Sequence, residues 1–236
     1  MKVNFEKLSK SKLGWLMGAV ALTISLSSCL NNNDTDTVVV PVAYVSVYNA
    51  SPDSPGLDVL VDNKQINSRP LEYSNYTGYL QFYTGNRNLK FNSFNASNVL
   101  VDTTVTFQAN KAYSVFVIDN TAEADALIVE DSAATPAATN SLIRFVNLSP
   151  DAASVELTTD SESLFPSKAF KQITAFKEIT AQSYTLQAKK DDHSVIVTAP
   201  GIVLQPGRAY TIIARGYLNP PSGNTNTFSI QVIDNG

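Results

Sequence analysis

Asn49-Ala50-Ser51-Pro52-Asp53 and Asn147-Leu148-Ser149-Pro150-Asp151 are one short stretch met twice. Each copy follows an apolar run and precedes another. Proline fixes φ and lacks an N–H, so it suits a tight turn and is excluded from a central strand. The residue before it is pushed to extended geometry, while Asn and Asp side chains bond nearby backbone and fix the turn. The stretch therefore predicts a rigid corner where one strand ends and the chain crosses to another. Asn49, Ser51, Pro52 and Asp53, with Asn147, Ser149, Pro150 and Asp151, are its corner residues. A second reading pairs Asp53 with Asp58, or Asp151 with Glu156, as an acidic site. Turn chemistry already accounts for these residue types.

Outward from the first corner the chain reads as strands. Residues 43–48 alternate, Val45 and Val47 on one face and Tyr44, Ser46 and Tyr48 on the other. Residues 57–61, 79–83, 88–91, 99–107, 112–118 and 127–130 follow, with turns at Asp62-Asn63 and a hairpin expected at Thr84-Gly85-Asn86. Helical apolar periodicity is not sustained anywhere past residue 40. The order then recurs: Asn49 matches Asn147 at an offset of 98, and 111–115 (Lys-Ala-Tyr-Ser-Val) match 208–212 (Arg-Ala-Tyr-Thr-Ile) at 97. A near-constant offset over such a length is a duplication. Residues 132–140 are poor in large apolar side chains and read as a linker. The expected fold is all-β, with two tandem antiparallel β-sandwich domains, immunoglobulin-like or similar, at 41–131 and 141–236.

These residues carry a resemblance. An apolar strand, Asn-x-Ser-Pro-Asp, a second strand and a later Lys/Arg-Ala-Tyr-Ser/Thr-Val/Ile resemble the domain-of-unknown-function 4397 family. The first copy matches from Asn49 to Val59 and from Asn110 to Val115. The second is looser, with Ala153 at the place of Pro55 and Glu156 at that of Asp58. The resemblance implies an extracytoplasmic β domain and supplies no catalytic residues.

The N-terminus has a different character. Lys2, Lys7, Lys10 and Lys12 precede a mostly apolar stretch at 13–26, of signal-peptide length and short for a membrane span. Leu26-Ser27-Ser28-Cys29 ends it and resembles the lipobox of bacterial lipoproteins, with Cys29 as the lipidated residue. Residues 1–28 are then a signal peptide and 29–40 the anchored cysteine and a polar tether. The expected setting is the cell envelope, an outer-membrane lipoprotein facing the periplasm or the surface. Asp34 and Asp36 loosely resemble a surface-export signal of Bacteroidota. The chain from Cys29 onward carries 13 basic against 20 acidic residues, which argues against nucleic acid as a partner. Cys29 is the only cysteine, which excludes disulfides and thiol-based metal sites.

Catalytic signals are sparse. His193, the single histidine, lies in the charged run Lys189-Lys190-Asp191-Asp192 and is read as part of a hairpin tip. No Gly-x-Ser-x-Gly elbow or phosphate-cradling loop is present. Asp53 with Asp58, and Asp119 with Glu123 and Asp125, could each line a loop for calcium, and neither group has a calcium-loop pattern. No catalytic residue, metal or cofactor is assigned.

The aromatic residues separate the copies. Tyr73, Tyr76 and Tyr79 align with Phe170, Ile173 and Phe176 and are expected in core or half-core positions. Tyr83, Phe91 and Phe94 align with Thr180, Ala188 and Asp191 and are a surplus of the first copy. They are the candidate binding residues, for sugar rings or a protein partner, against packing as the plain alternative. Asp-Thr/Ser-apolar triplets at Thr37, Thr103 and Ser132 resemble O-glycan acceptors. The expectation is a non-enzymatic, lipid-anchored envelope protein with a binding or structural role. Its alternatives are a fimbrial-like subunit assembling by strand addition and, least supported, an envelope hydrolase.

Overall fold

The computed structural model describes residues 40–132 and 134–236. Cys29, Thr37, the signal peptide and most of the tether lie outside them. Every regular element described is a strand. The first repeat comprises β1 (Val42–Asn49), β2 (Leu57–Val61), β3 (Lys64–Gln65), β4 (Leu80–Tyr83), β5 (Gly85–Ser93), β6 (Val99–Phe107), β7 (Ala112–Ile118) and β8 (Asp125–Glu130). The second comprises β9 (Asn140–Asn147), β10 (Val155–Thr159), β11 (Ser163–Lys168), β12 (Lys177–Thr180), β13 (Ser183–Lys189), β14 (Val195–Val203), β15 (Ala209–Arg215) and β16 (Ser229–Asp234).

Each repeat is a sandwich of two four-stranded sheets, and the two share one topology. Sheets β4-β1-β7-β8 and β3-β2-β5-β6 form the first; β12-β9-β15-β16 and β11-β10-β13-β14 form the second. Pairing is antiparallel except for one parallel ladder in each, β1 with β7 and β9 with β15. The duplication is thus structural, strand for strand. Val45, Val47, Val59, Leu89, Phe91 and Val115 fill the first sandwich, and Ile143, Phe145, Leu157, Leu186 and Ile212 the second.

Two expectations change. Asp62 and Asn63 turn β2 into β3 with φ of 50° and 64°, as a two-residue hairpin requires. Thr84-Gly85-Asn86 is no hairpin. β4 pairs with β1 and β5 with β2 and β6, so the chain changes sheet there, and Gly85 at φ 87° makes the corner.

The second change concerns the outer face of the β1 sheet, read from its alternation as half exposed. Tyr48, Ala50, Phe116 and Ile118 on that face meet Val146, Leu148, Ile213 and Ile233 in a third core. The inner sheets of the two repeats therefore bury both faces, and the described residues make one compact unit. A buried polar cluster lies beside this core. Arg144 and Asp131, 2% and 4% exposed, form an ion pair at 2.5 Å. The Arg144 Nε donates to Thr211, Tyr79 donates to Asp131 at 2.7 Å, and Arg144 lies 4.7 Å from the Phe176 ring centre.

Candidate functional site

The two corners have the same internal bonding. Asn49 Oδ1 accepts from the Ser51 N–H while its amide donates to the Leu71 carbonyl. Asn147 accepts from Ser149 and donates to Ala152 and Lys168. Both Asn and both Ser are fully buried. Asp53 and Asp151 each look outward to the loop that follows the parallel strand: Asp53 accepts from the Thr121 N–H, and Asp151 from Leu218 and Asn219. The three polar side chains of each corner are thus all engaged, Asn and Asp on backbone and Ser on the Asp carboxylate, which is the bonding of a structural corner. Asp58 is engaged separately, by Gln65 and the Asn95 N–H, and Glu156 by Ser163. Among the described residues no group of three His, Cys, Asp or Glu is placed to hold a metal ion.

The three surplus aromatics are not brought together. Phe91 pairs with Val101 and Val59 in the first core and offers no surface. Phe94 is half-buried past the end of β5, its N–H bonded to the Gly56 carbonyl. Tyr83, 64% exposed, stands alone among them on an open cleft of about 600 Å³. Of the aligned trio, Tyr76 is 42% exposed, outside the core positions expected for it, whereas Tyr73 and Tyr79 are half-buried.

The cleft is built by the edges of the two sheets. On one side the consecutive residues Leu80, Gln81, Phe82 and Tyr83 all line it, so β4 borders it with its free main-chain edge as well as its side chains. Opposite are Val61, Asp62, Lys64 and Ile66 from the β2–β3 hairpin, and Arg87 from β5 closes one end. Val61, Ile66, Leu80 and Phe82 make the surface mainly apolar. Arg87 donates to Asp62 at 2.8 Å and to the Thr84 carbonyl at 2.9 Å, which fixes the guanidinium. The Asn88 N–H and then Arg87 hold the Asp62 carboxyl below the usual carboxylate range. Lys64 has no ion-pair partner among the described residues. Tyr83 was found in sequence because its counterpart is not aromatic. Lys64 and Ile66 were missed, since a two-residue strand has no periodicity to read.

The second repeat shows what the same place looks like without the aromatic. There β12 and the β10–β11 turn enclose about 320 Å³ lined by Thr159, Asp160, Ser161, Glu162, Ile179, Thr180 and Tyr184. Thr180 stands where Tyr83 does, paired to Asn140 as Tyr83 is to Val42. Tyr184 donates to the Thr180 carbonyl across the space. His193 sits exposed at the β13–β14 turn, 3.2 Å from Glu156, with no nucleophile assembled on the pair.

A model of the domain-of-unknown-function 4397 (DUF4397) family matches residues 43–158 and again 141–235. The chain belongs to this family. Among curated proteins none matches it. Among solved structures it is similar to a family 26 carbohydrate-binding module of Eubacterium rectale Amy13K crystallised with maltoheptaose. The identity is 8% and the TM-score 0.25, over 80% of this chain and 96% of that one. A streptococcal virulence factor described by its α-glucan binding is similar at 11% identity and a TM-score of 0.24, over 72% of this chain and 92% of that one. This DUF4397 protein is a doubled β-sandwich with an open, mainly apolar cleft in its first repeat.

Proposed function

We propose that this DUF4397 protein is a non-enzymatic glycan-binding protein, held at the bacterial envelope by a lipid on Cys29, with its ligand taken in the Tyr83 cleft. The observation that carries the reading is Tyr83 itself: a large, flat, solvent-facing ring on an open concave surface, at a position where the other repeat has Thr180. A sugar ring presents an apolar face that stacks on an aromatic, and hydroxyls that need oriented donors and acceptors. Arg87, Asp62, Lys64 and Gln81 supply those around the apolar floor. The anchor rests on the Leu26-Ser27-Ser28-Cys29 stretch and its preceding basic and apolar segments. No constellation of nucleophile, base and oriented acid stands in the cleft, which favours retention over turnover.

The test is a panel of α-glucan, β-glucan, mannan and uronan oligosaccharides offered to residues 40–236 and to a Tyr83→Ala variant. Binding by the parent, with at least tenfold weaker binding by the variant at unchanged melting temperature, is expected. Unchanged affinity in the variant rejects the cleft, and silence across the panel rejects the glycan. Intact mass of the chain recovered from a bacterial membrane checks the lipid on Cys29.

A further inference from the structure

We propose that β6 is a pairing edge for a second copy of this chain, the two β6 strands adding antiparallel about Thr103 so that two β3-β2-β5-β6 sheets merge into one. β6 is the outer strand of its sheet, bonded on one side to β5 only. β8, the neighbouring edge of the other sheet, approaches it, yet no backbone hydrogen bond joins the two among the described residues. An unpaired edge is a template for another strand, and folded proteins guard such edges with proline, bulges, charge or brevity.

Five of the other outer strands show such guards; β8 and β16, six residues each in regular register, are shorter than β6 but otherwise unguarded. β3 has two residues, and β4 and β12 four each. β11 carries Pro166 and an irregular register. Most telling is β14, the counterpart of β6. Its register slips between Tyr184 and Leu186, where Pro200 and Gly201, the latter at φ 71°, bulge opposite Thr185. At the equivalent point β6 runs through Thr103, Thr104 and Val105 in unbroken register with Leu89, Asn88 and Arg87. Its nine residues contain no proline or glycine, its one register irregularity falls at Leu100 outside the 101–105 stretch, and its one carboxylate, Asp102, is already paired with Lys90 at 3.4 Å. One edge of the duplicated pair is blocked and the other is left open.

The occupant is a second copy because β6 is its own complement. Pairing about Thr103 sets Val101 opposite Val105 of the other copy, both on the core face beside Phe91 and Arg87. It sets Asp102 opposite Thr104 on the outer face, so no like charges are opposed. The Tyr83 cleft lies on other strands and is untouched by the pairing.

The experiment is sedimentation velocity on residues 40–236, which contain all three cores, over a concentration series. A reversible dimer is expected. Two variants separate edge pairing from other contacts. Thr104→Pro copies the guard of β14, and Thr104→Glu with Thr106→Glu, both at exposed positions, sets a carboxylate against Asp102 of the other copy. Each should weaken dimerisation at least tenfold, the double Glu variant at unchanged melting temperature. A monomer throughout the series overturns the proposal, as does a dimer that survives the double Glu variant.

Discussion

Arg144 is the residue on which the junction of the repeats turns. Its guanidinium is fully desolvated and matched by Asp131, Thr211 and Ser114, with the Phe176 ring against it. Removing one partner of such a pair leaves an uncompensated buried charge. Arg144→Ala should therefore cost about 3–5 kcal/mol in urea unfolding. Tyr79 belongs to the same cluster. Burial, and then the Asp131 charge it donates to, push its hydroxyl up to about 12 from 10.0. The folded state keeps a proton that the unfolded chain releases, so its contribution is complete below pH 10 and drains as pH rises towards 12. Unfolding midpoints measured from neutral to strongly alkaline pH should fall across that window, and less steeply in Tyr79→Phe. Neither role was legible in the sequence. Arg144 interrupts an apolar strand, and Asp131 reads as the polar last residue of the first domain; their meeting depends on how the two repeats pack. The corner was legible from its local half, the Ser51 N–H on Asn49, whereas the partners that tie it to Leu71 and Thr121 lie too far along the chain to read.

Among the elements, the β15–β16 connection shows how the duplicated strands diverged. Residues 216–228 replace the shorter 119–124 of the first repeat and reach the opposite corner, where Asn224 donates to the Pro52 carbonyl at 3.0 Å. Gly216 makes this possible: at φ 79° a Cβ would stand 2.3 Å from the Thr227 carbonyl oxygen. Gly216→Ala should cost about 3 kcal/mol or more by chemical denaturation, since both backbone strain and a clash with main chain must be relieved. Gly78 has open space around it and serves as the control; Gly78→Ala should lose far less. Strand positions were readable from alternation, and 57–61, 99–107 and 112–118 fall where the apolar pattern puts them. The Gly85 corner was misread because a glycine between two strands signals a bend, and nothing local tells a hairpin from a change of sheet.

At the scale of the whole molecule, two sandwiches share a core, and that decides how the protein should unfold. A first repeat alone would expose Tyr48, Phe116 and Ile118, which the second repeat covers. Calorimetry of residues 40–236 should show one cooperative transition, and a fragment ending at residue 131 should aggregate or fail to fold. Duplication was legible from the constant offset; the fusion went unread although its signal is there, since the near-continuous apolar runs of β7 and β15 are what a strand buried on both faces shows, while the more polar alternation of β1 suggests one open face. The fusion leaves the Tyr83 cleft accessible, since it lies at an outer edge away from the shared core. The most direct test is an NMR titration of residues 40–236 with the oligosaccharide selected from the panel. The account predicts shifts confined to Val61, Ile66, the β4 residues and Arg87, absent in Tyr83→Ala. Shifts centred instead on Thr159–Glu162 and Thr180 in the second repeat, or the same shifts persisting without the Tyr83 ring, would contradict it.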